Sequence, residues 1–384
     1  LCVSLFALMA MQNLTDNQLT QIENNLTTGV THSWEIGTHT EALTEFLTPS
    51  YSIFSSSSIP LSSSQFTYGP PSSLDPILTL AHSVIANRST SNDNAQGPQP
   101  FMQDTATSNP VSIGVAVLIA NWTGYTGYGG AEDYVGVAWD QVDYLFSGSM
   151  PKMSDGAILH HVSQLQLWSD LVYMVLLFLA YYSVTTTNRS EWFSFSIYCP
   201  LCNSSTGGMW KHIMMGSGMD SGHWATGNSW AAAGMLCILR TITNSQYANT
   251  MKSEQTDLVN WVGEIHNGIY LHLQSNGLFK NYPNSSNTSN FNDAASTALL
   301  ASTMYHLANT WGWHTHLLQV ECSWQVLSSS NSTLAHFTSD MWLMPVVDPY
   351  NFGQQGEWSQ EVQAFVLEME AARGDWVMVG SQGA

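Results

Sequence analysis

The amino-acid sequence predicts an all-α chain folded as one large domain, on three observations. Long apolar segments recur at helical spacing, separated by clusters of Gly, Ser, Asn and Pro. None sustains the alternation of a half-buried strand. The 384 residues are 44% hydrophobic and 11% aromatic, enough to bury a single extensive core.

In chain order the periodic segments predict helices over residues 32–46, 75–87, 110–122, 132–146, 170–184, 228–244, 253–274, 293–309 and 357–373. Residues 171–184 carry no charge; they are too short to span a membrane and fit a fully buried helix. The segment 253–274 is amphipathic and belongs on the outside of the same assembly. Residues 49–73 and 89–108 are dense in Ser, Pro and Asn. They exceed ordinary connections, so they are expected to pack over the helices or carry function. Residues 1–30 form an N-terminal segment whose first ten residues read as the tail of a secretory signal or as an apolar first helix. The single domain is expected over residues 31–384.

Charge narrows the function classes. There are 8 Lys+Arg against 28 Asp+Glu, a net charge of -20, and such a surface repels nucleic acid and anionic membranes. An acidic ligand would need cations gathered locally. Asn-X-Ser/Thr sequons at Asn13, Asn25, Asn87, Asn121, Asn188, Asn203, Asn284, Asn287 and Asn331, with few lysines, point to a secreted protein carrying N-linked glycans. Of the five cysteines, Cys199 and Cys202 have thioredoxin-like spacing but no βαβ context, which favours a loop disulfide or two free thiols. No second Cys/His pair follows at zinc-ligand spacing.

Two segments set polar groups among tryptophans at the head of long apolar stretches, as expected of a sugar pocket built at helix ends. In Trp168-Ser169-Asp170-Leu171-Val172-Tyr173-Met174, Ser169 can cap a helix with Asp170 as its first-turn acid. Alternatively, crowding by Trp168, Tyr173 and Met174 raises the pKa of Asp170 and makes it a general acid. In Trp224-Ala225-Thr226-Gly227-Asn228-Ser229-Trp230, Asn228 serves as a helix cap or a sugar ligand. Asn109-Pro110 has the composition of an N-cap and first-turn pair.

Both tryptophan segments resemble signatures of glycoside hydrolase family 105 and its relative family 88, the unsaturated uronyl hydrolases. The resemblance implies an (α/α)6 barrel of the six-hairpin type. It makes Asp170 the acid/base, and Trp168, Met174, His212, Trp224, Asn228 and Trp230 substrate-binding. Looser matches at 32–38, Gly277-Leu278-Phe279 and Asp293-Ala294-Ala295 spread the likeness over most of the chain. Three positions depart from the family pattern: Thr226 replaces an arginine, Ser229 a glycine, and Asn109 an aspartate. An arginine fork would hold a sugar carboxylate, so Lys211, His212 and His223 become the nearest substitutes, and Asp104 substitutes for position 109 only if its loop is shifted.

The activity implied is removal of a terminal 4,5-unsaturated uronic acid from lyase-generated oligosaccharides, with no metal or cofactor. The rivals are a six-hairpin glycosidase acting on saturated sugars through a second acid, and a non-catalytic carbohydrate-binding or storage glycoprotein on a decayed hydrolase scaffold.

Overall fold

The computed structural model describes residues 13–93, 96–127, 132–148, 150–154, 156–187, 207–328 and 336–381. Its α-helices are α1 (Asp16–Thr27), α2 (Ser33–Leu47), α3 (Asp75–Ser91), α4 (Gly114–Thr123), α5 (Tyr134–Phe146), α6 (Leu177–Thr185), α7 (Ala225–Thr243), α8 (Lys252–Ile269), α9 (Ala294–Trp311), α10 (Leu317–Ser328) and α11 (Gln360–Met378). Three short antiparallel pairs join the loops: β1 (Leu167–Trp168) with β2 (Ile213–Met214), β3 (Phe279–Lys280) with β4 (Asn292–Asp293), and β5 (Val346–Asp348) with β6 (Asn351–Gly356).

Helix packing closes a ring. α2 packs on α4 and the 3-10 turn Asn109–Ile113 that leads into it, α4 on α6, α6 on α7, α7 on α9, α9 on α11, and α11 back on α2. The remaining helices lie outside: α1 on α11, α3 and α5 on α4, α8 on α7, and α10 on α9. Composition separates the two rings. α9 is buried at every position from Ala294 to Ala308, whereas α8 buries a stripe through Leu258, Val262, Ile265 and Ile269. Close approach inside the ring depends on small residues: a Cβ on Gly234 of α7 would lie 2.5 Å from the backbone nitrogen of Tyr173.

The predicted helices are present, with three informative differences. The segment 170–184 opens on a π-helical turn, Val172–Leu176, before α6, and the segment 110–122 opens on the 3-10 turn at Asn109. α1 and α10 lie outside the predicted set. α1 buries Ile22 and Leu26 in the same core as residues 31–384, and α10 is short and flanked by polar residues.

The loop 49–73 packs over the helices as expected, across the C-terminal ends of α7 and α9. Asn244 Nδ2 donates to the carbonyls of Ile53 (2.8 Å) and Ser55 (2.7 Å). Phe54 stacks on His306 with ring centroids 3.5 Å apart. The N-terminal ends of α2, α7, α9 and α11, with the turns before α4 and α6, face the opposite mouth, which leaves that mouth for a ligand.

One sequon is corrected. Asn25 is 6% exposed and its Nδ2 donates to Asp340 O at 2.7 Å, so the folded chain has no room there for a glycan. Asn13, Asn87, Asn121, Asn284 and Asn287 are exposed. Asn188, Asn203, Asn331, Cys199, Cys202 and residues 1–10 lie outside the described residues. Among those described, no helix is long and apolar enough to cross a membrane.

Candidate active site

Asp170 sits where the β1 strand turns into α6, against the first turn of α7. A Cβ added to Gly227 would lie 2.4 Å from Ser169 Oγ and 3.4 Å from Asp170 Oδ1, so the glycine lets α7 approach the carboxyl group directly. Ser169 does not cap the helix. Its hydroxyl donates to Asp170 Oδ1 at 3.0 Å. Burial raises the pKa of Asp170, opposed by the nearby His212 and the Ser169 hydroxyl. That direction suits an acid that must hold a proton towards neutral pH.

Aromatic rings surround it. Trp168 is half-buried, stacks on His160 (4.4 Å between centroids) and meets His212 edge-on at 5.1 Å. His212 also contacts Trp224 at 4.4 Å and Phe352 at 4.4 Å. Phe352 arrives on the β5–β6 hairpin, held when Asn281 Nδ2 donates to its carbonyl at 2.8 Å; Trp224 Nε1 donates to the same Asn281 side chain. Flat apolar faces around one buried acid are the ordinary equipment of a sugar site.

His212 is oriented by Asp220, whose Oδ2 lies 3.0 Å from Nδ1. Tyr282 Oη and the Gly222 amide also donate to Asp220. Burial alone would raise its pKa, but the bonds from His212, Tyr282 and Gly222 hold it down to about 2. Asp220 therefore stays a carboxylate and fixes the proton on His212 Nδ1. The other ring nitrogen, Nε2, is buried and has no partner among the described residues.

Other predicted residues take different places. Thr226 turns away from any ligand: its hydroxyl donates to Asp293 Oδ2 at 2.9 Å, and both residues are fully buried. Asp293 also accepts from the amides of Ala295, Ser296 and Val347, which ties the foot of α9 to β5. Asn228 spends its amide on the main chain of Trp210 and Trp224, fixing the segment that carries His212. Met174 and Trp230 are buried in the core behind Asp170, Trp230 packing on Tyr173 and Phe365. Lys211 is half-buried, with its charge acting on His223. The pKa of His223 is lowered by burial, and its Nδ1 accepts from Asn284 Nδ2.

Asn109 is half-buried in its 3-10 turn, and its side chain makes no cap; its Oδ1 accepts from Ser108 Oγ at 3.3 Å. Ser108 Oγ is 2.8 Å from His160 Nδ1, so the turn joins the wall that backs Trp168. Asp104 is held by Ser33 and the Ala106 amide, at the head of α2.

Sequence reasoning missed Glu361, in the first turn of α11. It is 5% exposed, its Oε2 accepts from Trp34 Nε1 at 2.9 Å, and the charges of Glu35, Asp170 and Asp293 act on it. The signal was present: Glu361 and Glu368 occupy the same helical face as Phe365 and Ala372, where an apolar stripe is expected. Phe352 was also missed, because the β5–β6 hairpin brings it in from far along the chain.

The sequence profile of Glycosyl Hydrolase Family 88 matches residues 103–336. The chain belongs to glycosyl hydrolase family 88. This family 88 hydrolase has the (α/α)6 toroid of its structural relatives. A possible member of family 105 from Salmonella enterica serovar Paratyphi A is 14% identical, covering 93% of this chain and 92% of that one, with a TM-score of 0.66. A family 88 hydrolase from Bacteroides vulgatus is 12% identical (94% and 99% covered, TM-score 0.63). The unsaturated glucuronyl hydrolase of Bacillus sp. GL1, responsible for the degradation of glycosaminoglycan, is 11% identical (96% of each chain, TM-score 0.58). At such identities the likeness establishes the fold alone. No curated protein matches the chain by sequence.

Proposed function

We propose that this family 88 chain is a secreted hydrolase that removes a terminal 4,5-unsaturated uronic acid from oligosaccharides by hydrating its enol ether. The observation that carries the reading is Asp170: a buried carboxyl group with a raised pKa, among Trp168, Trp224, His212 and Phe352. Asp170 gives its proton to C4, and positive charge develops at C5. The resulting carboxylate accepts a proton from water as the water oxygen adds to C5. The hemiketal so formed opens at the C5–O5 bond to a C5 ketone and a C1 hemiacetal. The hemiacetal collapses to an aldehyde as the C1–O glycosidic bond breaks and the aglycone leaves as an alcohol, its oxygen taking up the proton of the C1 hydroxyl. Trp168, Trp224 and Phe352 offer faces to the sugar, and the unpartnered Nε2 of His212 offers it a hydrogen bond. Without an arginine at position 226, the sugar carboxylate relies on Lys211 and the positive ends of the inner helices, while His212 Nε2 accepts from a sugar hydroxyl.

The test is incubation in D2O with unsaturated pectin, rhamnogalacturonan and glucuronan oligosaccharides. Loss of the enol-ether absorbance with deuterium at C4 supports the reading; no loss with any of the three rejects it. A second reading, hydrolysis of saturated sugars by a pair of acids, is favoured by Glu361, a second buried carboxyl group whose ionisation the charge of Asp170 opposes. It predicts release from saturated oligosaccharides that lack the enol ether.

A further inference from the structure

Two of the rings grouped around Asp170 are held by one side chain, that of Asn281, which follows β3 and is 1% exposed. Its main chain is fixed on both sides: the amide donates to Phe291 O at 2.9 Å, and the carbonyl accepts from Ala225 N, at the start of α7, at 2.8 Å. From that fixed support the side chain reaches two ways. Its Oδ1 accepts from Trp224 Nε1 at 2.8 Å, and its Nδ2 donates to Phe352 O at 2.8 Å. An indole N–H only donates and a main-chain carbonyl only accepts, so the amide has a single orientation here; an ionised aspartate of the same shape would serve the indole alone.

Both rings belong to the sugar pocket. A Cβ on Gly227 would lie 3.0 Å from Trp224 Cε3 and 3.4 Å from Asp170 Oδ1, so the indole stands beside the acid. The Phe352 ring lies 4.4 Å from His212, 6.1 Å from Trp224 and 6.2 Å from Trp168 between centroids. Its own support is slight. β6 pairs with β5 alone, and Asn351, Gly353, Gln354 and Gln355 are exposed. The bond from Asn281 therefore ties the strand that carries Phe352 to the wall that carries Trp224.

Resting on the uronyl hydrolase reading above, we propose that Asn281 is a positioning residue: it fixes the gap between the Trp224 and Phe352 rings, and so how tightly the terminal unsaturated uronic acid is held beside Asp170. It acts through those rings and takes no part in proton transfer. Loss of its bond to Phe352 frees the strand and weakens binding, whereas Asp170 still delivers its proton to a sugar that is bound.

The test is a double-mutant cycle of Asn281→Asp with Phe352→Ala. Binding of an unsaturated uronyl disaccharide is read by stopped-flow tryptophan fluorescence before turnover, turnover by loss of the enol-ether absorbance, and folding by urea unfolding. Asn281→Asp keeps the acceptor for Trp224 and sets a carboxylate oxygen against the Phe352 carbonyl; Phe352→Ala keeps that carbonyl and removes the ring. In the parent, Asn281→Asp should weaken binding about five- to tenfold and leave turnover at saturation within about twofold. In the Phe352→Ala background it should weaken binding no further. Parental binding by Asn281→Asp, or the same weakening in both backgrounds, overturns the proposal, because a new charge that merely repels the acidic sugar acts with or without the ring. If Asn281→Asp does not fold, Asn281→Ala takes its place: a smaller weakening in the Phe352→Ala background is expected, and an equal one refutes. Either refutation with turnover in the parent leaves the hydrolase reading intact. The expected cycle without turnover rejects the hydrolase reading and upholds Asn281, and a parent that neither binds nor turns over the disaccharide rejects both.

Discussion

Replacing Gly227 by alanine tests how tightly α7 is fitted against Asp170. The new Cβ would stand 2.4 Å from Ser169 Oγ, about 1 Å inside ordinary contact, and 3.4 Å from Asp170 Oδ1. Two terms oppose each other. Alanine is favoured over glycine in a helix by about 1 kcal/mol. Against this, the overlap costs about 1–3 kcal/mol if the backbones shift, or about 1 kcal/mol plus a new rotamer if Ser169 swings away and leaves Asp170. The net expectation runs from no change to a loss of about 2 kcal/mol in stability. The functional effect is larger, because Ser169 is one of the groups holding the pKa of Asp170 down against burial. Its departure should raise that pKa further, move the descending limb of the pH–rate profile to higher pH, and slow delivery of the proton. Urea unfolding and a pH–rate series on Gly227→Ala, Ser169→Ala and the double variant form the assay. Ser169→Ala should shift the pH profile without the loss of packing, and the double variant should recover much of the lost stability. A Gly227→Ala variant with parental stability and an unshifted profile would rule out so tight a contact.

Two further outcomes follow from the same geometry. Asn109 makes no cap, so Asn109→Asp should leave stability within about 0.5 kcal/mol of the parent. If its charge reaches Asp170, the descending limb moves to higher pH and turnover rises; a superimposable profile would leave position 109 outside the chemistry. Stability should also peak in mildly acidic solution. Glu41 and Glu361 are pushed up to about 8 from 4.5, chiefly by burial, so their contribution is full below about pH 4.5 and is lost as pH rises through about 8. His39, lowered by burial to about 4, and His266 and His306, lowered by burial to about 3, act oppositely: their contribution is full above about pH 6.5 and is lost as pH falls towards those values. A tenfold difference in proton affinity between the folded and unfolded chain is worth about 1.4 kcal/mol. A melting temperature that stays flat from about pH 5 to about pH 9 would therefore contradict the buried state of these groups.

The sequence showed the inner helices most plainly, because uninterrupted apolar runs such as 171–184 have only one place in a helical toroid. It showed α10 poorly, since twelve residues bearing Glu321 and polar flanks give little periodic signal. At the site, the tryptophan segments around Asp170 and Gly227 were readable as local patterns. The partners of those patterns were not. Whether Thr226 faced a ligand or Asp293 depended on where α9 begins, sixty-seven residues later. Ser169 looked like a helix cap from its position alone, and the tight fit of Gly227 turned its hydroxyl to the carboxyl group instead. Asn228 was legible as a polar residue at a helix start, but its three bonds to Trp210 and Trp224 required the fold.

The proposed hydrolysis begins with a proton from Asp170, and one substitution isolates that step. Turnover of an unsaturated uronyl disaccharide by Asp170→Asn is measured beside the parent, with binding followed in parallel by tryptophan fluorescence. The amide keeps the shape of the side chain and can accept from Ser169, but it has no acidic proton to give. The variant should fold, bind the sugar and lose at least about a hundredfold in rate. Parental turnover by Asp170→Asn would remove Asp170 from the chemistry.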